Sequence, residues 1–475
     1  MKILVTRIFE NSYNKNICLS PPIGILYIVS VLKKEFPLAE IRFYDNVLPD
    51  KRKLEYFKKY LKEFKPDFLL TGASYVDRDN VFKWAKTAKK ILPEIIVISG
   101  GVGSTCSHSE YISKKYIDYV VRGEGEERIV NLLKNIDSKN FMDGICYKID
   151  GKIFSTRPVS FIKNLDSLPM PDWDSFDFKF YSRLPGAVTV VKKLPYAYVM
   201  TSRGCPFNCK FCHNSFGSII RTRSAQNIVN EIKFLKEKGI NTIYFGDDIF
   251  NLQKEKAKEI CREIIKQNLN IHIGFTGIRV DVIDIELFEL MKKAGGYFLE
   301  FGIQHVVPEL NDSGNRKINR KKYIENVKFL KKMGFITQSQ FIFGFPGEKL
   351  EHSKKNLKFA LELDADFSSF FKLIPFPETW YGNNYFNIDE LKKIPSHKFN
   401  FFSSDKNLHM AEIDFDKLTS FIDYAFFRFY MRPQKIYSLL KRLPYTWCNI
   451  KQMILKFIIL VFPEKLVFYF LKYFF

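Results

Sequence analysis

The stretch Thr201-Ser202-Arg203-Gly204-Cys205-Pro206-Phe207-Asn208-Cys209-Lys210-Phe211-Cys212 decides how this chain is read. Residues 197–200 before it form an apolar run of strand character, so the three cysteines lie on a loop leaving a strand's carboxyl end. Thiolates are soft ligands suited to iron–sulfur clusters. Three of them on a four-iron (4Fe-4S) cluster leave one iron open to another ligand. A structural zinc site with His213 as fourth ligand is the competing reading. Zinc sites, however, normally pair two CxxC-like hooks across a longer stretch, which a lone CxxxCxxC does not do.

Working outward towards the carboxyl terminus, apolar strands at 242–245, 271–275, 298–303, 336–344 and 368–373 alternate with helical patterns at 225–238, 254–267, 285–293, 321–333 and 353–363. With the strand before the cysteines this makes six strands and five intervening helices, which predicts a partial (β/α)6 barrel. Barrel chemistry sits at the carboxyl ends of strands. The polar groups there are Gly246-Asp247-Asp248, Arg279-Val280-Asp281, Gly302-Ile303-Gln304 and Ile342-Phe343-Gly344-Phe345-Pro346-Gly347-Glu348. Taken singly, Asp247 and Asp248 read as turn caps, and Arg279 with Asp281 as a surface pair.

Towards the amino terminus, strands at 3–6, 41–44, 67–71, 95–99 and 119–121 alternate with helices at 22–34, 51–64 and 81–92, with one more helix after residue 126. This order predicts an α/β domain with a doubly wound parallel sheet, whose ligands sit at the carboxyl strand ends. Gly72, Gly100, Gly101, Gly103, Gly123 and Gly125 fall at those ends. They either admit a ligand to the backbone or simply turn the chain. No GxGxxG follows the first strand, which excludes the usual dinucleotide fingerprint. Residues 144–154 read as a hairpin turning at Asp150-Gly151, and the proline-punctuated stretch 165–173 as an extended crossing between domains.

The first third resembles the cobalamin-binding domain set ahead of many radical S-adenosylmethionine (SAM) enzymes. The stretches that carry it are Pro21-Pro22-Ile23-Gly24-Ile25-Leu26-Tyr27, Ser99-Gly100-Gly101-Val102-Gly103-Ser104-Thr105 and Asp118-Tyr119-Val120-Val121-Arg122-Gly123-Glu124-Gly125-Glu126. The cysteine loop, with Phe211 between the last two cysteines, and the four groups at strand ends resemble the radical SAM barrel over residues 196–380. The chain departs from the family pattern at Ser109-Glu110, where Pro-Glu is usual, and at Gln304, where relatives have Glu. It also lacks a DxHxxG motif, and His108 is read as a surface residue.

The resemblance implies a Rossmann-like cobalamin-binding domain at 1–142, a hairpin and linker at 143–195, the barrel at 196–380, and a mainly helical region at 381–475. It implies a 4Fe-4S cluster on Cys205, Cys209 and Cys212. SAM would contact Phe211, Gly246, Asp247, Arg279, Asp281, Gln304 and Gly344. Cobalamin would contact Gly24, Ser74, Gly100, Gly101, Thr105, Gly123, Glu124, Gly125 and Glu126. The activity implied is methylation of an unactivated carbon or phosphorus through a deoxyadenosyl radical and methylcobalamin. Radical cyclisation or rearrangement is the alternative within the class, and a non-catalytic electron carrier or redox sensor the alternative outside it. An external electron donor such as flavodoxin or ferredoxin is implied too. No catalytic acid or base is named.

At 475 residues with 46% hydrophobic side chains, the chain is long enough for two or three cores and is not a disordered polymer. Its net charge of +22 is read mainly as lysine-rich helix faces, and no nucleic-acid partner is expected. Methylthiotransferases of RNA hold a second cluster on amino-terminal cysteines, and Cys18, Cys106 and Cys146 are not so placed. Scattered with Cys261 and Cys448, these cysteines point to a reducing, cytoplasmic compartment. The chain starts on a strand and not a signal peptide. Residues 447–475, aromatic and lysine-studded but split by Pro463, are too broken to cross a membrane and read as a helical cap on the barrel, a dimer contact, or a segment lying on the inner face of a membrane. A small-molecule or lipid-like substrate would suit that placement.

Overall fold

The computed structural model describes residues 1–9, 20–157, 159–182, 190–311 and 318–442. Cys18, Cys448 and the aromatic tail lie outside them. Strands β1 (Lys2–Arg7), β2 (Glu40–Asp45), β3 (Phe68–Gly72), β4 (Ile96–Gly100) and β5 (Tyr119–Val121) form a parallel sheet. Helices α1 (Ile23–Glu35), α2 (Leu54–Phe64), α3 (Arg78–Ile91), α4 (Val102–Cys106), α5 (His108–Ser113) and α6 (Gly125–Lys134) connect them. The two faces bury separate apolar layers, one around Leu4, Leu69, Val97 and Trp84, the other around Val5, Leu70, Ile98 and Leu132. Strands covered on both faces read as near-continuous apolar runs, which is why they were legible.

The strand order β2-β1-β3-β4-β5 reverses between β1 and β3, the switch point where such sheets take ligands. One expectation is corrected here. The hairpin β6 (Ile145–Ile149) and β7 (Lys152–Ser155) is no separate connector: β6 pairs antiparallel with β5 and extends the first sheet to seven strands. Cys146 is buried in that join. The crossing at 165–173 is also less extended than its prolines imply, with short helical turns at Leu165–Ser167 and Trp173–Ser175. Helix α7 (Phe178–Tyr181) follows.

The second sheet runs β8 (Tyr196–Val199), then, beyond a two-stranded ribbon of β9 (Ser202–Arg203) and β10 (Arg221–Thr222), β11 (Thr242–Phe245), β12 (His272–Phe275), β13 (Gly296–Gln304), β14 (Ile336–Phe343) and β15 (Phe367–Lys372). Its six strands are parallel in sequential order, the partial barrel expected. Helices α8 (Ala225–Glu237), α9 (Lys254–Lys266), α10 (Ile285–Lys293), α11 (Arg320–Lys332) and α12 (Leu350–Leu363) lie between the strands. Side chains alternate along each strand. Leu299, Phe301 and Ile303 of β13 pack in the large core with the helices, while Phe298 joins Tyr196, Tyr244, Ile336 and Phe367 in a second cluster at the other face.

The last described part is mainly helical: α13 (Trp380–Tyr385), α14 (Ile388–Lys393), α15 (Phe415–Tyr430) and α16 (Pro433–Arg442). It touches both domains. Leu391, Phe399 and Leu408 share an apolar cluster with Tyr75 of the first domain, and the Tyr430 hydroxyl donates to the Ser368 carbonyl on β15 at 2.7 Å. Among the described residues no helix is long and apolar enough to cross a membrane.

Candidate active site

The cysteine loop leaves the carboxyl end of β8 and is closed at its neck by β9 and β10. Within it the Cys205 amide donates to Gly217 O at 2.9 Å, the Cys212 amide to Cys209 O at 3.0 Å, and the Asn214 amide to Cys212 Sγ at 3.5 Å. None of the three forms a disulfide. Burial pushes the thiol of Cys205 upward. Bound iron would reverse that, because a coordinating thiol is deprotonated. The three cysteines share one backbone-braced loop and are of the soft type an iron–sulfur cluster takes, although among the described residues no three ligand side chains converge on one metal position. His213 is tied to the Pro377 carbonyl through Nε2 at 2.9 Å and packs on Phe376.

The groups at the strand ends divide into two kinds. Asp247 is fully buried behind the loop: one carboxylate oxygen accepts from the amides of Thr201 at 2.7 Å and Ser202 at 2.8 Å, the other from the Thr201 hydroxyl. Burial still pushes its carboxyl up to about 6. Both oxygens are engaged, so Asp247 braces the loop and its carboxylate does not point out to a ligand, contrary to expectation. Asp248 accepts from the Gly204 amide at 3.2 Å. Gly246 donates to Val199 O and keeps β11 joined to β8.

Arg279 and Asp281 form a half-buried pair, with Arg279 Nε 2.8 Å from Asp281 Oδ1. The guanidinium lies 4.4 Å over the ring of Phe207, inside the cysteine loop. Phe211 packs against the barrel core. Gln304 ends β13 at φ +69°, after a register shift, and its side chain folds back so that a Cβ on Gly302 would lie 2.2 Å from its Nε2. Gly344 has φ +99°, and its amide donates to the buried Glu348 at 2.6 Å.

Several residues that organise this face were not singled out from sequence. Asn251 accepts from the Arg279 amide at 2.8 Å and donates to the carbonyls of Arg279 and Val282. Asn356 of α12 donates to the carbonyls of Gln304 and Ile342, which ties the ends of β13 and β14. Ser353 and the fully buried His305 both reach Glu348. The available signal was a polar residue on the apolar side of a helix, such as Asn356 beside Leu357 and Ala360.

Lower in the barrel, Glu300 of β13 faces Gln338 of β14 in register and accepts from Gln340 Nε2. Burial pushes its carboxyl up to about 7 from an ordinary 4.5. A carboxyl raised in this way stabilises the fold fully below about pH 4.5 and loses that contribution as pH rises through 7. Glu300→Gln is therefore expected to gain on wild type between pH 4.5 and 8, by up to ~3 kcal/mol in a dry lumen and less if water enters. Denaturant unfolding of both proteins across that range checks this, and a constant difference would exclude the buried titration.

In the first domain most of the side chains expected at cobalamin are committed to protein partners. Ser74 Oγ donates to Asp77 at 2.6 Å, and Thr105 Oγ1 donates to Gly101 O and accepts from the Gly123 amide, both at 2.9 Å. Glycines are needed at 101 and 123 because a Cβ would meet Ala73 O at 2.9 Å and Val159 at 2.4 Å. A Cβ on Gly125 would lie 3.1 Å from Ile28, whereas Gly24 has open space around it and Gly100 nothing nearer than 3.7 Å.

Glu124 and Glu126 are the clearest correction. Arg203 Nη1 meets Glu124 Oε1 at 2.9 Å and Arg203 Nη2 meets Glu126 Oε1 at 2.7 Å. Arg221 Nη1 meets Glu124 Oε2 at 2.7 Å. All four groups are buried. Their side chains join the loop after β5 to the cysteine loop and are not available to a cofactor. The carboxyl end of β5 in the first sheet therefore meets the neck of the cysteine loop at the head of the second.

Residues 199–360 match the Radical SAM superfamily, and residues 19–133 match the B12 binding domain. An uncharacterized methyltransferase of Pyrococcus horikoshii is 30% identical over 427 residues, which cover 87% of this chain and 88% of that protein. The chain belongs to the cobalamin-binding radical SAM family. It is therefore an enzyme of a 4Fe-4S cluster, SAM and cobalamin, and its relatives include cobalamin-dependent radical SAM methyltransferases. The anaerobic magnesium-protoporphyrin IX monomethyl ester cyclase of Cereibacter sphaeroides is 28% identical over 76% of this chain and 59% of its own length. The radical SAM methyltransferase TsrM from Kitasatospora setae shares the fold, with a TM-score of 0.66 at 19% identity over 80% of this chain and 75% of that one.

Proposed function

We propose that this radical SAM enzyme methylates an unactivated carbon or phosphorus of a small or lipid-like molecule, drawing electrons from an external donor such as flavodoxin or ferredoxin. The observation that carries this reading is the meeting of the two carboxyl-end loops through Arg203, Glu124 and Glu126. It sets a carboxyl-end loop of the B12-binding domain against the neck of the cysteine loop. When bound, the cluster supplies the electron that breaks a C–S bond of SAM, and cobalamin carries the methyl group.

The chain's own residues position and shield. Cys205, Cys209 and Cys212 would hold the iron. Arg279, held by Asp281 and Asn251 over Phe207, offers a cation to a carboxylate at the barrel mouth. Phe211, Gly246, Gln304 and Gly344 present backbone and apolar contact to the rest of SAM. For cobalamin, the open backbone at Gly24 and Gly100 is the surface we favour. Peripheral contact with the inner face of a membrane falls to residues 447–475.

The test is anaerobic purification with added hydroxocobalamin, followed by assay of cell extract with SAM deuterated in its methyl group. About four irons and one corrinoid per chain, with the label appearing in a product, is the expected outcome. Iron without corrinoid would sink methyl transfer through cobalamin. The 28% identity to a cyclase favours one second reading, a radical cyclisation. It predicts full cofactor loading and a product without label.

A further inference from the structure

The ribbon at the neck of the cysteine loop is only two residues wide on each side, and its register sets Arg203 opposite Arg221. Like charges facing each other across an antiparallel pair repel. Here both are withdrawn from water, with the side chains 5% and 9% exposed. The counter-charges come from the other domain. Glu124 lies between the two guanidinium groups and bonds to both, while Glu126 holds the far side of Arg203. Glu124 also accepts from the Ile162 amide at 2.7 Å, and burial fails to raise its carboxyl because the two arginines hold it below the ordinary range. Arg203 is further flanked by Tyr27 of α1 at 5.2 Å and Phe216 of the cysteine loop at 5.4 Å. Residue 203 is two positions from Cys205, so where this arginine sits, the loop's first thiol follows.

We propose that Glu124 and Glu126 are a latch: they hold the cysteine loop shut by neutralising an arginine pair that its own strands set face to face. The first domain and the loop are thereby seated as one unit, at one separation. This rests on the reading that the loop carries a cluster and the first domain a corrinoid. The glutamates act as positioning residues and touch neither cofactor.

The test uses the full chain loaded with iron and corrinoid. Glu124→Gln leaves Arg221 facing a neutral amide and Arg203 with Glu126 alone, and iron loss to a chelator is expected to be roughly a hundredfold faster than in wild type. Adding Arg221→Gln removes one of the like charges and is expected to restore most of the retention. Simple structural damage would instead add. A second readout is frozen-solution EPR of the protein carrying cob(II)alamin and a reduced cluster. The magnetic broadening of the cobalt signal by the cluster is expected to fall to less than half in Glu124→Gln and to return in the double variant. Wild-type retention and broadening in Glu124→Gln, or losses that add in the double variant, would overturn the latch. Should Glu124→Gln not fold, Glu126→Gln is expected to show the same changes at smaller size, and no change there overturns it equally. Failure of the wild type to load iron and corrinoid would instead sink the underlying reading, and the latch with it.

Discussion

Cys209→Ala is expected to yield a folded protein that holds no 4Fe-4S cluster and cleaves SAM at background rate, a loss on the order of a thousandfold or more. Cys209 is half-buried on a loop whose shape rests on other groups: the Cys205 amide on Gly217 O, Asp247 on Thr201 and Ser202, and the arginine ribbon at its neck. Removing one sulfur therefore costs little stability. It does remove a third of the protein's hold on the iron, and the three thiolates act as a unit. Iron analysis and anaerobic SAM cleavage check this. A variant that keeps its iron while losing cleavage would assign Cys209 some role other than ligand.

Gly204→Ala is expected to reach nearly the same end without touching a ligand. Gly204 has φ +103°, and an added Cβ would lie 2.2 Å from Ile219 O and 3.2 Å from Gly217 O. Those are backbone atoms on the returning limb of the loop, so they cannot turn aside as a side chain would. The strained φ alone costs about 1–3 kcal/mol, and relief of the clash must separate the two limbs. That separation breaks the bond from Cys205 to Gly217 and draws the Gly204 amide off Asp248. Reconstituted iron is expected to fall by more than half although all three thiols remain reactive to a thiol reagent. Full iron loading would show that the loop yields more readily than its backbone contacts imply.

The two variants separate what is local about this site from what is not. The cysteine spacing is a property of eight consecutive residues, 205–212, and it points to iron without any knowledge of the fold. The barrel groups were nearly as legible, because a run of parallel strands covered by helices leaves an apolar trace, and the residues just past each strand's carboxyl end are by topology at the mouth. Their individual duties were less so. Alone, Asp247 reads as a turn cap and by resemblance as a SAM contact, and it turns inward because Thr201 and Ser202, 46 and 45 positions away, offer it three donors in a buried setting.

Residues 145–155 show the same division at the level of the fold. Alternation and Asp150-Gly151 specify a hairpin, but a hairpin's polar edge can pair with any free strand. That it pairs with β5, and so belongs to the first sheet, depends on which edge was left open once β1 to β5 had assembled. Period, turn chemistry and ligand spacing are carried by neighbours along the chain, and on these the sequence by itself determined two α/β units, their order, and a cysteine loop at the head of the second. The tertiary structure alone decided that Glu124 and Glu126 serve Arg203 and Arg221 across the domain boundary. A buried charge takes whichever opposite charge the packing brings within reach, and no local pattern names a partner 79 residues away.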